Sequence, residues 1–292
     1  MNSLSKYASL VKLSHTVFAM PFALTGFALA LYDMRGQQWD ATWAAWLLLK
    51  VVLCTFFARN TAMGFNRWAD RDIDAANPRT AGRDIPAGRI SPRSALLFTA
   101  ANAVLFTITA STINHLTAIL SPVALAVITF YSLCKRFTSL AHIALGLSLA
   151  IAPAGAYIAV TGHLAPAPCI LSLLVATWCA GFDIIYALQD ADFDRQNRLH
   201  SIPARFPAAV ALGISIGLHA VSIAALAMFA SYCPQGVLLY AGCGIFTALL
   251  IMQHILVTPS RQRNIGIAFG TLNGIASLVL AAFVIADLII AR

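Results

Sequence analysis

Not one of the 292 residues is a glutamate, and charged residues of every kind make up only 10% of the chain, against 60% hydrophobic residues. An ordinary soluble domain carries about 25% charged residues, so that class is excluded and a polytopic membrane protein is the default. The usual signatures of structural metals and disulfides are missing too. The six cysteines (Cys54, Cys134, Cys169, Cys179, Cys233 and Cys243) form no CxxC pair, and no histidines stand at ligand spacing, so neither a zinc site nor a disulfide framework is indicated. They read as small buried hydrophobes. The net charge of +8 comes without a recognisable nucleic-acid-binding motif, and its basic residues lie in short clusters between long apolar runs. That distribution excludes a nucleic-acid partner and reports membrane topology instead.

What is abundant is hydrophobic length. Nine runs near the ~20 residues needed to cross a bilayer fall at about 16–32, 41–64, 94–111, 116–134, 139–160, 168–188, 207–230, 236–257 and 266–290. They are too long for barrel strands, and backbone groups in hydrocarbon must bond internally, so the expectation is nine transmembrane helices. The first run begins near Val17 and is followed by no small-residue cleavage site, so it is expected to be a retained helix.

The basic residues orient the chain. Lys6 and Lys12, the six arginines from Arg67 to Arg93, Lys135 with Arg136, Arg195, Arg198 and Arg205, and Arg261 with Arg263 make 15 of the 19 lysines and arginines. All fall in connections on one side of a nine-helix chain, which the positive-inside rule assigns to the cytoplasm together with the N-terminus. The opposite connections (31–40, 111–116, 161–168 and 231–236) are short and hold Arg35 as their one basic residue. The long polar connections after the second and sixth runs each carry Asp, Arg and an Ile-Pro pair (Ile85-Pro86, Ile202-Pro203), which suggests a weak internal duplication.

Those two connections also hold the acid. Eight of the 11 aspartates are Asp70, Asp72, Asp74 and Asp84 in one place and Asp183, Asp190, Asp192 and Asp194 in the other. Asn66, Asp70 and Asp74 are spaced four and four, which on a continued helix puts them on one face about 6 Å apart along the axis, with Arg59 and Met63 extending the stripe. Asp183, Tyr186, Asp190 and Asp194 share a face in the same way. Asp183 is expected about 10 Å deeper than Asp190, within the apolar run, where an ionisable group is expensive and usually functional. Carboxylates held this close repel unless cations sit among them, and hard divalent ions with oxygen ligands suit the place. The interleaved Arg67, Arg71, Arg79, Arg83, Arg195 and Arg198 suit phosphate oxygens. Carboxylate, divalent metal and arginine together read as a diphosphate site. Solvated, salt-bridged loops are the bland alternative, and a transporter with acidic cytoplasmic-side gates is the alternative from another class.

The segment Asn66-Arg67-Trp68-Ala69-Asp70 through Asp74, then Asn77-Pro78-Arg79-Thr80-Ala81-Gly82-Arg83 and Ile85-Pro86-Ala87-Gly88, resembles the first NxxxDxxxD signature of UbiA prenyltransferases. Asp183 through Asp190 and Asp194, followed by Leu199-His200-Ser201-Ile202-Pro203-Ala204-Arg205-Phe206, resembles the second. Lys12 to Thr16, Tyr131 to Arg136 and the nine-run count extend the likeness over essentially the whole chain, 1–292, as a single domain. Asn197-Arg198, where relatives often carry an acidic residue and glycine, and Pro207, where glycine is usual, depart from the pattern.

The resemblance implies an all-α integral membrane protein with a UbiA-type bundle in the cytoplasmic membrane. It further implies Mg2+-dependent transfer of a polyprenyl group from its diphosphate to a ring carbon of a hydroxylated aromatic acid, 4-hydroxybenzoate or 1,4-dihydroxy-6-naphthoate, in the quinone pathways. Carried onto this chain, Asp70, Asp74, Asp190 and Asp194 hold the metal. Asn66, Arg67, Arg71 and Lys135 bind the diphosphate, and Asp183 and Tyr186 orient the acceptor or the prenyl group. Arg59 either binds diphosphate or pairs with a cluster aspartate. Lys12, His15 and His200 are further candidates for the acceptor or phosphate, while His142, His219 and His254 have no assigned role.

Overall fold

The structure is a computed structural model that describes Tyr7, residues 9–11 and residues 18–291. Lys12 and His15 lie outside the described residues. The helices are α1 (Met20–Asp33), α2 (Ala41–Ala69), α3 (Arg71–Ala76), α4 (Pro92–Ser111), α5 (His115–Cys134), α6 (Ala141–Thr161), α7 (Pro166–Ala187), α8 (Ala191–Gln196), α9 (Ile202–Arg205), α10 (Ala208–Ala230), α11 (Val237–Leu256) and α12 (Asn273–Ile290). A 3-10 turn (Leu188–Asp190) joins α7 to α8, and a π-helical stretch (Ile267–Leu272) runs into α12.

Local chemistry sets the helix ends. Asp40 caps α2 by accepting from the Thr42 and Trp43 amides; Ser91 caps α4, with Pro92 at the first helical position. Asn114 and Thr117 form a capping box at the start of α5, and α6 stops at Gly162, whose φ of 73° is the left-handed conformation glycine adopts freely.

Among the described residues, eight helices are long and apolar enough to cross a membrane. The remaining run, the first of the nine, corresponds to α1, 14 residues, about 21 Å of helix, and its predicted start falls outside the described residues. The helices close into a ring: α2 packs on α4 and α5, α5 on α6, α6 on α7, α7 on α10, α10 on α11, α11 on α12, and α12 on α1, which also leans along α6. Close approach needs small residues: a Cβ at Gly26 would sit 2.2 Å from the Pro153 carbonyl oxygen, and one at Gly146 would sit 2.2 Å from that of Ala176. Interior polar groups find partners across helices, Asn60 with Asn102 at 3.0 Å and the Trp178 indole with Asn273 at 2.9 Å. Outward, large side chains such as Leu97, Ile108, Phe130, Met228 and Ile251 are exposed, an apolar belt that only lipid covers without penalty. The protein is an integral membrane protein.

Two expectations about the acidic segments need correction. Neither cluster sits on one unbroken helix. Asp70 (φ −91°, ψ 6°) breaks the chain between α2 and α3, and Asp190 (φ −107°, ψ 2°) breaks it between the 3-10 turn and α8. The Asp74 amide still bonds to the Asp70 carbonyl at 2.7 Å, so the facing of the carboxylates survives the kink. The two segments are built alike: a long helix, a break at the first aspartate, a six-residue helix that buries the second.

Candidate active site

The ends of α2, α5 and α7 and the π-helical stretch meet at one end of the ring and enclose a cavity of about 840 Å3. One end is polar, lined by Arg59, Asn66, Arg67, Asp70, Asp74, Arg79, Arg83, Lys135, Asp183, Tyr186, Asp190, Asp194 and His200. Its shaft is apolar and runs between α2, α4, α5 and α6 to Ile113, Thr117 and Leu164 at the far ends of the helices. Val123 and Leu147, both exposed, also line it, so the shaft meets the lipid-facing surface.

Every carboxylate at the polar end is buried or partly buried and partnered. Asp70, 2% exposed, takes Lys135 Nζ at 2.9 Å and the Asn66 amide at 3.1 Å on Oδ2, and Arg136 at 3.4 Å on Oδ1. Asp74 Oδ1 accepts from Arg83 at 2.6 Å, while its Oδ2 is buried with no hydrogen-bond partner. On the facing segment Asp190 accepts from Asn77 at 2.9 Å and from Arg79 through both Nε, at 2.8 Å, and Nη2. Asp194 Oδ2 accepts from the Ser201 hydroxyl at 2.9 Å. Burial acts to discharge Arg79, but its bonds to Asp190 and Tyr186 and their charges outweigh this and hold its pKa above the usual arginine value. Arg79 also donates to the Tyr186 hydroxyl at 2.9 Å, and Tyr186 stacks on Phe269 at 4.1 Å between ring centres, closing the floor of the polar end.

In this arrangement no three Asp, His or Cys side chains among the described residues converge as metal ligands. The reason is visible in the pairing, because Arg79, Arg83 and Lys135 stand between the carboxylates and supply the positive charge themselves. The donor set still fits a hard divalent ion: four oxygen-only side chains on two facing segments, and the buried, bare Asp74 Oδ2.

The structure brings Asn66, Arg67, Asp70, Asp74, Lys135, Asp183, Tyr186, Asp190 and Asp194 to one cavity. Arg59 lines it one helical stretch deeper and donates to the Val11 carbonyl at 3.1 Å. Arg71 does not line it: its guanidinium lies over Trp68 and pairs with Asp72 at 3.4 Å, turned outward because it follows the break at Asp70. Asp72 and Asp192 face solvent, and Asp84 is a structural partner of Arg89 and Ser9. Arg79 and Arg83, which were among the phosphate-suited arginines, take the place expected of Arg71. Cavity residues without a site assignment include Asn77, Tyr131, which shares a face with Lys135 four residues on, and His142, which meets Asp183 only in three dimensions.

A ring of membrane-spanning helices around a cavity that is acidic and arginine-rich at one end and apolar along its length defines a membrane enzyme for a substrate with a charged head and a long hydrocarbon tail. Residues 19–278 match the UbiA prenyltransferase family, and the chain belongs to it. It is a prenyltransferase, which removes the transporter alternative. Among its relatives, the 4-hydroxybenzoate octaprenyltransferase of Alkalilimnicola ehrlichii is 30% identical over 252 residues, 82% of this chain and 85% of that one. The apo structure of a UbiA homolog from Aeropyrum pernix K1 is 28% identical and superposes with a TM-score of 0.78 over 95% of this chain and 98% of that chain. A UbiA homolog from Archaeoglobus fulgidus bound to GPP and Mg2+, 19% identical, shares the fold with a TM-score of 0.72 over 97% and 99%.

Proposed function

We propose that the protein transfers a polyprenyl group from polyprenyl diphosphate to a ring carbon of a hydroxylated aromatic acid, 4-hydroxybenzoate or 1,4-dihydroxy-6-naphthoate, with Mg2+ at Asp70, Asp74, Asp190 and Asp194. The observation that carries this reading is the polarity of the cavity, whose carboxylates and basic side chains crowd one end of an apolar shaft as long as the bundle. Bound there, Mg2+ supplies neutralisation of charge on the departing diphosphate. Lys135, Arg79 and Arg83 grip phosphate oxygens, trading carboxylate partners for phosphate ones, and Arg67, which donates to the Asn66 amide oxygen, joins them. The shaft takes the tail and keeps bulk water from the reacting carbon. The allylic C–O bond breaks with its electrons leaving on diphosphate, the ring carbon supplies the pair for the new C–C bond, and the ring then gives its proton to the released diphosphate. Tyr186, held by Arg79 and Phe269, presents a ring beside the carbon that carries positive charge in between. By the positive-inside rule the polar end faces the cytoplasm.

The test is transfer itself. Purified protein in lipid nanodiscs receives Mg2+, radiolabelled polyprenyl diphosphate and each acceptor separately, beside Asp70→Ala. A Mg2+-dependent prenylated product absent from the variant supports the reading and names the acceptor. Hydrolysis of the diphosphate with neither acceptor prenylated would overturn the acceptor class.

A further inference from the structure

His142 belongs to α6 and Asp183 to α7, and nothing in their spacing joins them. In the fold they meet: His142 Nδ1 lies 2.7 Å from Asp183 Oδ2, and the imidazole is 3% exposed. The other ring nitrogen decides the protonation state. His142 Nε2 lies 3.3 Å from the backbone nitrogen of Ile202, whose N–H can only donate, so Nε2 carries a lone pair. A neutral ring with Nε2 bare has its proton on Nδ1, directed at Asp183 Oδ2. The uncharged imidazole therefore stabilises Asp183 as a carboxylate while occupying one of its oxygens. Asp183 Oδ1 has no hydrogen-bond partner among the described residues, and the residue lines the cavity with Tyr186 three positions on. By helical rise Asp183 lies about 10 Å below Asp190, beneath the carboxylates and at the head of the shaft.

We propose that His142 is a positioning residue for the acceptor, holding Asp183 as an anion whose Oδ1 receives a hydrogen bond from the hydroxyl of the aromatic ring. This rests on the prenyl-transfer reading above. A hydroxyl donating to a carboxylate raises electron density on its own ring, which is what attack on an allylic carbon requires, and it turns one ring face to that carbon. The Ile202 amide acts at one remove. Its neighbour Ser201 holds Asp194, and the His200 amide bonds to the Lys135 carbonyl at 2.7 Å, so the segment that sets the imidazole's tautomer is seated on the diphosphate end of the site.

Two isosteric changes separate the halves of the contact. An asparagine amide reproduces the Nδ1–H donor and a glutamine reproduces the Nε2 acceptor. His142→Asn therefore keeps kcat near wild type. His142→Gln lowers kcat by about ten- to hundredfold, the worth of a lost hydrogen bond to a charged group, and raises the KM for the aromatic acceptor while that for the prenyl diphosphate stays unchanged. In the Asp183→Asn background His142→Gln adds no further loss. Independently of turnover, imidazole 15N shifts in nanodisc-reconstituted protein, assigned by difference with His142→Gln, show a neutral ring protonated at Nδ1. A ring protonated at Nε2, or on both nitrogens, overturns the proposal. So does equal loss in both variants with both KM values raised and the unfolding temperature lowered, which marks a purely structural residue. Wild-type protein that transfers to no acceptor would sink the functional reading, and the tautomer would still judge the dyad.

Discussion

At the scale of single residues, the site is a set of carboxylates whose countercharges come from the chain itself. Asp190 is the plainest case: Arg79 spans both its oxygens and Asn77 adds a third bond. A guanidinium in that position competes with a divalent cation and also serves phosphate, so removing it has effects of opposite sign. Arg79→Ala tightens binding of Mn2+ in the absence of diphosphate, read by electron paramagnetic resonance titration, and raises the KM for prenyl diphosphate. Asp74→Asn keeps the side chain's volume and removes the negative charge shared by Oδ1 and the bare Oδ2. Transfer falls by at least about 100-fold, as for loss of a preorganised charge at a transition state, with little change in unfolding temperature because the Arg83 side chain is 21% exposed and still reaches water. Product formation and thermal unfolding of the same preparation check both halves of that expectation.

Among the helices and their connections, two features hold the geometry. The first is contact between α6 and α7, which brings His142 to Asp183 and depends on Gly146 lying against the Ala176 carbonyl. Gly146→Ala forces these helices apart and destabilises the protein by about 1–3 kcal/mol, the usual cost of overpacking, measurable as a lower unfolding temperature in detergent. The second is the turn after α8. Arg198 has φ of 55°, the one non-glycine residue with positive φ among those described, and it is one of the positions at which the sequence departs from the signature it resembles. The departure from the family pattern is thus a residue held in a conformation that costs a side chain about 1–2 kcal/mol. Arg198→Gly relieves this, offset in part by glycine's greater freedom when unfolded, and raises stability by up to about 1 kcal/mol without altering turnover. Differential scanning fluorimetry on both proteins reads that gain.

For the molecule as a whole, the ring of helices makes a container with one polar end. Its shaft passes Ala110, nearly fully buried close to the far end of α4. Ala110→Phe fills that end and leaves the head untouched. The ratio of kcat/KM for a ten-carbon over a forty-carbon prenyl diphosphate rises, while the KM for metal stays the same; an unchanged ratio would place the tail elsewhere, along the lipid-facing opening near Val123 and Leu147.

Much of this was legible without coordinates because membrane physics leaves few choices. Runs long enough to cross a bilayer must be helices, and the membrane-crossing helices from α4 to α11 fall within about two residues of the predicted spans, as does α12 once the π-helical stretch before it is counted; Ser91 and Asn114 cap two of the starts and Gly162 closes one of the ends. The acidic pairs Asp70 with Asp74 and Asp190 with Asp194 stood out because aspartate is concentrated there in a chain with so little charge. What spacing cannot encode is direction across a break in the helix: the kink after Ala69 turned Arg71 outward and left Arg79 and Arg83, from the following loop, to face the site. Nor can it encode a contact between residues 41 apart such as His142 and Asp183. The sequence by itself determined the class of fold, the end of the membrane where charge gathers and the carboxylates that line the cavity. Tertiary structure decided which cation stands beside each carboxylate and which ring nitrogen holds a proton, because those depend on how separate helices pack and not on the order of residues along any one of them.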